Sequence, residues 1–407
     1  MNRRLRKTGW LAVLVLHSSL ALAQPAPTPT RPGPFGPRGP VVVSPELLPD
    51  GRVTFRVLAP NASKATVTGE VAGGMVADPN AAPPAPPAPG AGPVPFAMPQ
   101  PIEMVKGQEG VWSVTTPRAV KPGAWRYAFN VDGATVVDSR NVRTSPSQTQ
   151  VQSLLVVPGD FSETRDVQHG TVGLVRYVSK SLGDARRELY VYTPPGYEKS
   201  GERCPVLYLI HGGGDTAASW STIGRANDIL DNLLAEKKAV PMIVVMPSGW
   251  TPSGGQVMTS DATKDPFTNE MITDIVPMID ARYRTLGTPD SRALSGLSMG
   301  GIQTLNIGLH HLGTFRYLAV MSSGWTTPGD REFFYRTEGA RFAAYNDALK
   351  LFWWGWGETD TARANGLDVI GRLKSQGVRI ETRETPGGHE WANWRLYLSE
   401  VAQKLFR

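Results

Sequence analysis

A single cysteine, Cys204, occurs in the 407 residues, so no disulfide can close within the chain. One thiol cannot supply a cysteine zinc cluster, no His-Glu-x-x-His pair is present, and no metal site is expected. Charged residues make up only 19% of the chain, and no lysine or arginine stripe argues for a nucleic acid partner. Neither a P-loop nor a dinucleotide-binding glycine fingerprint follows a strand pattern, so no cofactor is expected. No apolar run reaches the roughly 20 residues that comfortably span a bilayer. Hydrophobic residues make up 41%, ample material for a core, and the length suggests two domains.

The amino terminus reads as an export signal. Arg3, Arg4, Arg6 and Lys7 precede a short apolar run over residues 10–16, continued at 20–22, and Ala21-Leu22-Ala23 forms a small-x-small cleavage site. An N-terminal anchor is the alternative, which the short and interrupted run disfavours; no stable membrane insertion is expected after cleavage. Removing residues 1–23 takes four basic and no acidic side chains from the formal net charge of +6, leaving +2, so the apparent basicity is mostly targeting. A secreted or periplasmic location is the expectation.

The 35 prolines cluster. Residues 24–40 are rich in Pro, Gly and Thr without hydrophobic period, as an extended linker would be. From residue 41 to 158 the pattern is all-β, with short alternating runs at 52–57, 65–68, 111–115, 125–131, 135–138 and 154–157. Asp132-Gly133 marks a hairpin turn. An Ala/Pro-rich insertion, 79–101, interrupts this domain as a loop. Residues 159–170 link to a second domain, 171–407, in which strands and helices alternate. Strands are expected at 188–192, 206–210, 242–246, 292–295, 317–321, 350–354 and 379–384. Helices are expected at 225–238, 269–283 and 302–312. This is the signature of a doubly wound, mostly parallel α/β sheet.

The strongest chemical signal is Gly296-Leu297-Ser298-Met299-Gly300, between a strand and a helix. Such a turn lifts a serine hydroxyl off the backbone and sets it at a helix N-terminus, where the Met299 N–H faces a developing oxyanion. A serine hydroxyl needs a base. Of six histidines, His389, in a Gly-Gly-His loop before the last helix, can reach the carboxyl edge of the sheet. His310 and His311 lie some three turns down the helix. Between Ser298 and His389 a carboxylate is expected to orient the base; Asp360 follows a strand and is the first choice, with Glu358 as the alternative. His211-Gly212-Gly213-Gly214-Asp215 follows another strand, and in α/β-hydrolases this loop supplies the second oxyanion donor, here assigned to Gly213. His211 is expected to orient that loop.

With these pieces in place, residues 171–407 resemble the esterase D-like, carbohydrate esterase family 1 group, which includes feruloyl and acetyl xylan esterases. The likeness rests on Tyr208-Leu209-Ile210-His211-Gly212-Gly213-Gly214, the serine turn through Gly301, Gly357-Glu358-Thr359-Asp360, and Gly388-His389-Glu390-Trp391-Ala392-Asn393-Trp394-Arg395. Residues 41–158 resemble the immunoglobulin-like early-set module, similar to family 48 carbohydrate-binding modules, that often precedes such esterases. There Trp112, Trp125 and Tyr127 are either sugar-stacking side chains or core.

The resemblance implies an α/β-hydrolase serine esterase acting on feruloyl or acetyl esters of xylan. A siderophore trilactone esterase, an acyltransferase and a non-catalytic glycan-binding protein are the competing readings. Trp250, Trp325 and Trp391 are the candidate substrate-binding aromatics, though Trp250 and Trp325 can equally pack under the loops 248–267 and 324–340.

Overall fold

The computed structural model describes residues 40–77, 99–252 and 258–407. The expected signal peptide and almost all of the Pro-rich linker and the Ala/Pro-rich insertion lie outside the described residues.

The described residues between 46 and 157 form two antiparallel sheets. In the first, Val53–Leu58 pairs with Glu46–Leu47 and Val111–Thr115, and Val105–Lys106 extends the edge. The second runs Ile102–Glu103, Ala65–Thr68, Gly123–Val131, Val151–Val157, Thr144–Pro146, with Ala134–Val136 also on Gly123–Val131. The Asp132-Gly133 hairpin falls where its residue types place it: both residues take positive φ, 47° and 91°, as a two-residue turn matched to strand twist requires. Phe55 of the first sheet meets Tyr127 of the second at a ring separation of 4.8 Å, in a core shared by both. Trp112, Trp125 and Tyr127 are buried in that core and bonded through their polar atoms to Ala59 O, Lys121 O and Asp138 Oδ2. They present no face for sugar stacking; of the two readings the sequence offered, these side chains are core.

The remaining chain forms one eight-stranded sheet with helices on both faces. Its strands are β1 (Thr171–Ser179), β2 (Ala185–Thr193), β3 (Val206–Ile210), β4 (Ile243–Pro247), β5 (Arg292–Leu297), β6 (Tyr317–Met321), β7 (Leu351–Gly357) and β8 (Glu381–Thr385). They lie in the order β1-β2-β4-β3-β5-β6-β7-β8. All pairs are parallel except those made by β2. The central strands are continuous apolar runs because both faces are covered: Tyr208 and Ile210 enter one core while Leu207 and Leu209 enter the other. This is the α/β-hydrolase fold, as expected.

The helices are α1 (Ala226–Ala235), α2 (Pro266–Glu270), α3 (Val276–Arg282), α4 (Met299–His310), α5 (Pro328–Glu338), α6 (Phe342–Ala348), α7 (Arg363–Ser375) and α8 (Trp391–Ala402). The single helix expected over 269–283 is instead α2 and α3 joined by a wide π turn, Met271–Ile275. Pro277, which has no N–H for the ladder, follows that turn and accounts for it. Residues 159–170 are strapped along α1: Asn232 Nδ2 donates to Phe161 O and Glu163 O, and Asp231 Oδ1 accepts from Gly170 N.

Register brings the functional ends together. Ile210 pairs with Gly296, Leu297 with Met321, and Gly357 with Thr385, so the segments after β3, β5, β7 and β8 emerge at one edge.

Candidate active site

Ser298 links β5 to α4 with φ 52° and ψ −118°, a conformation costing a non-glycine residue about 1–3 kcal/mol. The surroundings hold it there. A Cβ on Gly296 would lie 2.2 Å from Gly300 O, and one on Gly300 would lie 2.4 Å from His211 O. Neither position accepts a side chain, so the turn closes tightly and projects the serine. Ser298 N donates to Met321 O at 2.9 Å, and Ser323 Oγ donates to Ser298 O at 2.6 Å.

His389 Nε2 lies 2.9 Å from Ser298 Oγ, and its Nδ1 lies 2.9 Å from Asp360 Oδ1. An ionised carboxylate only accepts, so Nδ1 carries the proton and Nε2 is free to accept from the serine hydroxyl. Burial alone would raise the Asp360 carboxyl; the hydrogen bond and charge of His389 prevail and hold it below the ordinary carboxylate range. Oδ1 also accepts from Ala362 N at 2.8 Å. The alternative, Glu358, points to solvent and makes no contact with His389, so the geometry favours Asp360. Asp368 pairs with Arg331 instead.

The His389 loop is fixed from behind. Gly387 takes φ 91°, Thr359 N donates to Gly387 O, and Asn393 Nδ2 donates to Gly388 O. His310 sits far down α4 against Glu338, as its position in the helix implies. His211 is buried, accepts from Gly249 N at Nε2 and therefore donates from Nδ1 to Gly212 O; burial pushes it below the ordinary imidazole range, so it is neutral. It orients the loop, in line with its sequence context.

The glycine loop and Ser298 are adjacent: a Cβ on Gly212 would stand 3.2 Å from Ser298 Cβ. Gly213 follows, with its backbone exposed. Met299 opens α4, where first-turn N–H groups lack intrahelical acceptors. Gly213 and Met299, the expected oxyanion donors, thus stand next in the chain to Gly212 and Ser298, which are themselves adjacent in space.

Of the candidate substrate aromatics, only Trp250 stays part-exposed, its Nε1 donating to Asp215 O beside the glycine loop. Trp325 is fully buried, packed at a tilt on Phe334 with its Nε1 on Asn306 Oδ1. Trp391 is buried between Trp220 and Trp394. Neither can wall a substrate cleft; both are core, which corrects their assignment. Among the described residues no cluster of His, Cys, Asp or Glu could hold a metal ion.

Sequence reasoning passed over Ser322, Ser323, Asn393 and Arg126. Asn393 lies inside the quoted Gly388–Arg395 stretch and could have been read there. Arg126 carries no local signal, because its hydrogen-bond partners Ser145, Pro146 and Ser219 lie 19 to 93 residues away.

An α/β-hydrolase sheet with a hydrogen-bonded serine and histidine at the strand-to-helix turn is the architecture of a serine hydrolase. The chain belongs to the Putative esterase family, whose model matches residues 179–405. It is 31% identical over 311 residues, 74% of its length, to an endo-1,4-beta-xylanase/feruloyl esterase of Xylanibacter ruminicola, of whose length it spans 41%. Its fold is similar to a CE1 ferulic acid esterase of Anaeromyces mucronatus, at TM-score 0.52 and 22% identity over 61% of this chain and 96% of that one. It is also similar to the enterobactin esterase of Shigella flexneri, at TM-score 0.58 and 16% identity over 87% of this chain and 92% of that one.

Proposed function

We propose that this chain is an exported serine esterase that removes feruloyl or acetyl groups from a plant polysaccharide such as xylan. The observation that carries the reaction is the hydrogen-bonded line Ser298–His389–Asp360 on an esterase-family fold. His389 Nε2 takes the Ser298 proton as Oγ attacks the ester carbonyl. The N–H groups of Gly213 and Met299 receive the negative charge on the carbonyl oxygen. Asp360 stabilises the imidazolium and keeps its orientation. His389 then protonates the departing alcohol, and water, deprotonated by the same histidine, releases the acid from the acyl-enzyme.

The substrate class is supported by the Xylanibacter relative, whose likeness extends upstream of the catalytic domain. Trp250, part-exposed beside the glycine loop, is the aromatic wall suited to a phenolic acyl group. A second reading is hydrolysis of a catecholate trilactone, favoured by the likeness to the Shigella structure over 87% of this chain. The first is preferred because it rests on sequence identity of 31%, where the second rests on fold.

Turnover of methyl ferulate, an acetylated xylan oligomer and a catecholate trilactone, with Ser298→Ala as blank, separates these. Preference for either of the first two supports the polysaccharide reading; preference for the trilactone moves the protein to iron acquisition.

A further inference from the structure

A run of three glycines is a poor mount for a catalytic donor. Glycine carries the largest backbone entropy, and an oxyanion donor displaced by a few tenths of an ångström loses much of its effect. Something must hold residues 212–214 still, and much of what does belongs to the β-rich region that precedes the sheet.

Arg126, in Gly123–Val131, is buried and spreads its guanidinium over two segments. One nitrogen pairs with Asp215 Oδ1 at 2.7 Å, the residue that ends the glycine loop. Another donates to Ser219 Oγ at 3.2 Å, and Ser219 Oγ in turn donates to Asp215 Oδ1, also at 3.2 Å. Nε donates to Ser145 Oγ at 3.0 Å, and a longer contact of 3.4 Å reaches Pro146 O. Ser145 and Pro146 lead directly to Gln148, whose backbone N–H donates to Gly214 O at 2.7 Å. The guanidinium also lies over the Trp391 ring, 5.9 Å from its centroid. Gly213 is therefore flanked on its C-terminal side by two restraints, at Gly214 O and at Asp215, and both trace to one arginine outside the hydrolase sheet.

We propose that Arg126 is a positioning residue for the oxyanion loop, holding it directly through Asp215 and indirectly through the 145–148 segment that binds Gly214. This rests on the assignment of that loop given above. The β-rich region is then part of the catalytic apparatus, and its effect reaches even substrates too small to touch it. A fork that satisfies Asp215 and Ser145 together is a task for arginine; lysine, with a single ammonium, performs only part of it.

The test uses the full chain with 4-nitrophenyl acetate, which is too small to reach the β-rich region, and an alkylboronic acid, whose tetrahedral serine adduct places an oxygen in the oxyanion site. Arg126→Met is expected to lower kcat about 10- to 100-fold with KM nearly unchanged, and to weaken the boronate by a similar factor. Arg126→Lys should restore part of both. Asp215→Asn should cost less than Arg126→Met, and the double variant should fall short of the product of the two single losses. Should Arg126→Met fail to fold, Arg126→Lys and Asp215→Asn carry the test. The proposal is overturned if these two melt like the wild type and keep kcat and boronate affinity within about twofold. Ser298→Ala, assayed alongside, separates the two readings: residual turnover there overturns the serine assignment itself, whereas an inactive Ser298→Ala beside fully active arginine variants overturns only the positioning role.

Discussion

The Trp394 indole stands edge-on to the His389 imidazole, ring centroids 5.0 Å apart at 88°, while its Nε1 donates to Ser322 Oγ at 2.8 Å. Trp394 thus ties the histidine loop to the end of β6, next to the turn that carries Ser298. A T-shaped aromatic contact of this kind contributes on the order of 1 kcal/mol beyond its burial. Trp394→Phe keeps an edge-on ring but leaves the Ser322 hydroxyl without its donor. A fall in kcat of about 3- to 10-fold with KM little changed is expected from steady-state kinetics, because the loss loosens the base without touching bound substrate.

Asp360 and Glu358 are two residues apart and have different fates. Asp360→Asn should reduce kcat by roughly three to four orders of magnitude, because an amide no longer imposes the Nδ1–H tautomer on His389. Glu358→Gln should leave kcat within about twofold, being an exposed substitution away from the histidine. A large loss for the glutamate and a small one for the aspartate would reverse the assignment.

Arg395 of α8 is fully buried and donates from one nitrogen to Ala124 O and Ile223 O, both at 3.1 Å. Burial lowers its basicity to about 10, against the opposing charges of Asp160 and Glu70, so it is still a cation at neutral pH. Arg395→Ala removes the donor from two carbonyls and opens a cavity where helix, sheet and β-rich region meet. Chemical denaturation should show a loss of about 3 kcal/mol or more.

Asp265 caps α2 and is buried, and that burial pushes its carboxyl up to about 6 despite hydrogen bonds from Phe267 N and Thr268 Oγ1. The folded state therefore holds the proton more tightly than the unfolded chain, whose reference value is 3.8. The stability this contributes is fully present below pH 3.8 and is lost as pH rises to about 6, by roughly 3 kcal/mol in the limit. Asp265→Asn, which keeps the capping acceptor and cannot ionise, should flatten that part of the stability–pH curve. An unchanged slope between pH 4 and 6 would contradict the burial argument.

Of the three candidate substrate aromatics, Trp250 alone is part-exposed. Trp250→Ala should raise KM for methyl ferulate about tenfold and leave 4-nitrophenyl acetate nearly unaffected, since only the former carries an aromatic ring on its acyl group.

The sequence made the line Ser298, His389, Asp360 legible because each residue follows a strand, and the sheet's parallel order delivers all three ends to one edge. His211 was readable for the same reason. Trp325 and Trp391 were not, because proximity to a motif says nothing about which way an indole faces; one lies under α5 and the other between two tryptophans. The edge strand 171–179, in which Thr, Gly, Arg and Ser interrupt the apolar residues without a regular period, gives a weaker pattern than the apolar runs beside it. Arg126 was illegible: a buried arginine in a strand acquires meaning only through Asp215 and Ser219, which folding alone brings to it.

The central claim is most directly tested by fluorophosphonate labelling of the full chain, followed by peptide mass mapping. The account predicts stoichiometric modification at Ser298, slow labelling of His389→Ala and none of Ser298→Ala. Labelling at another residue, or of Ser298→Ala at the wild-type rate, would contradict it.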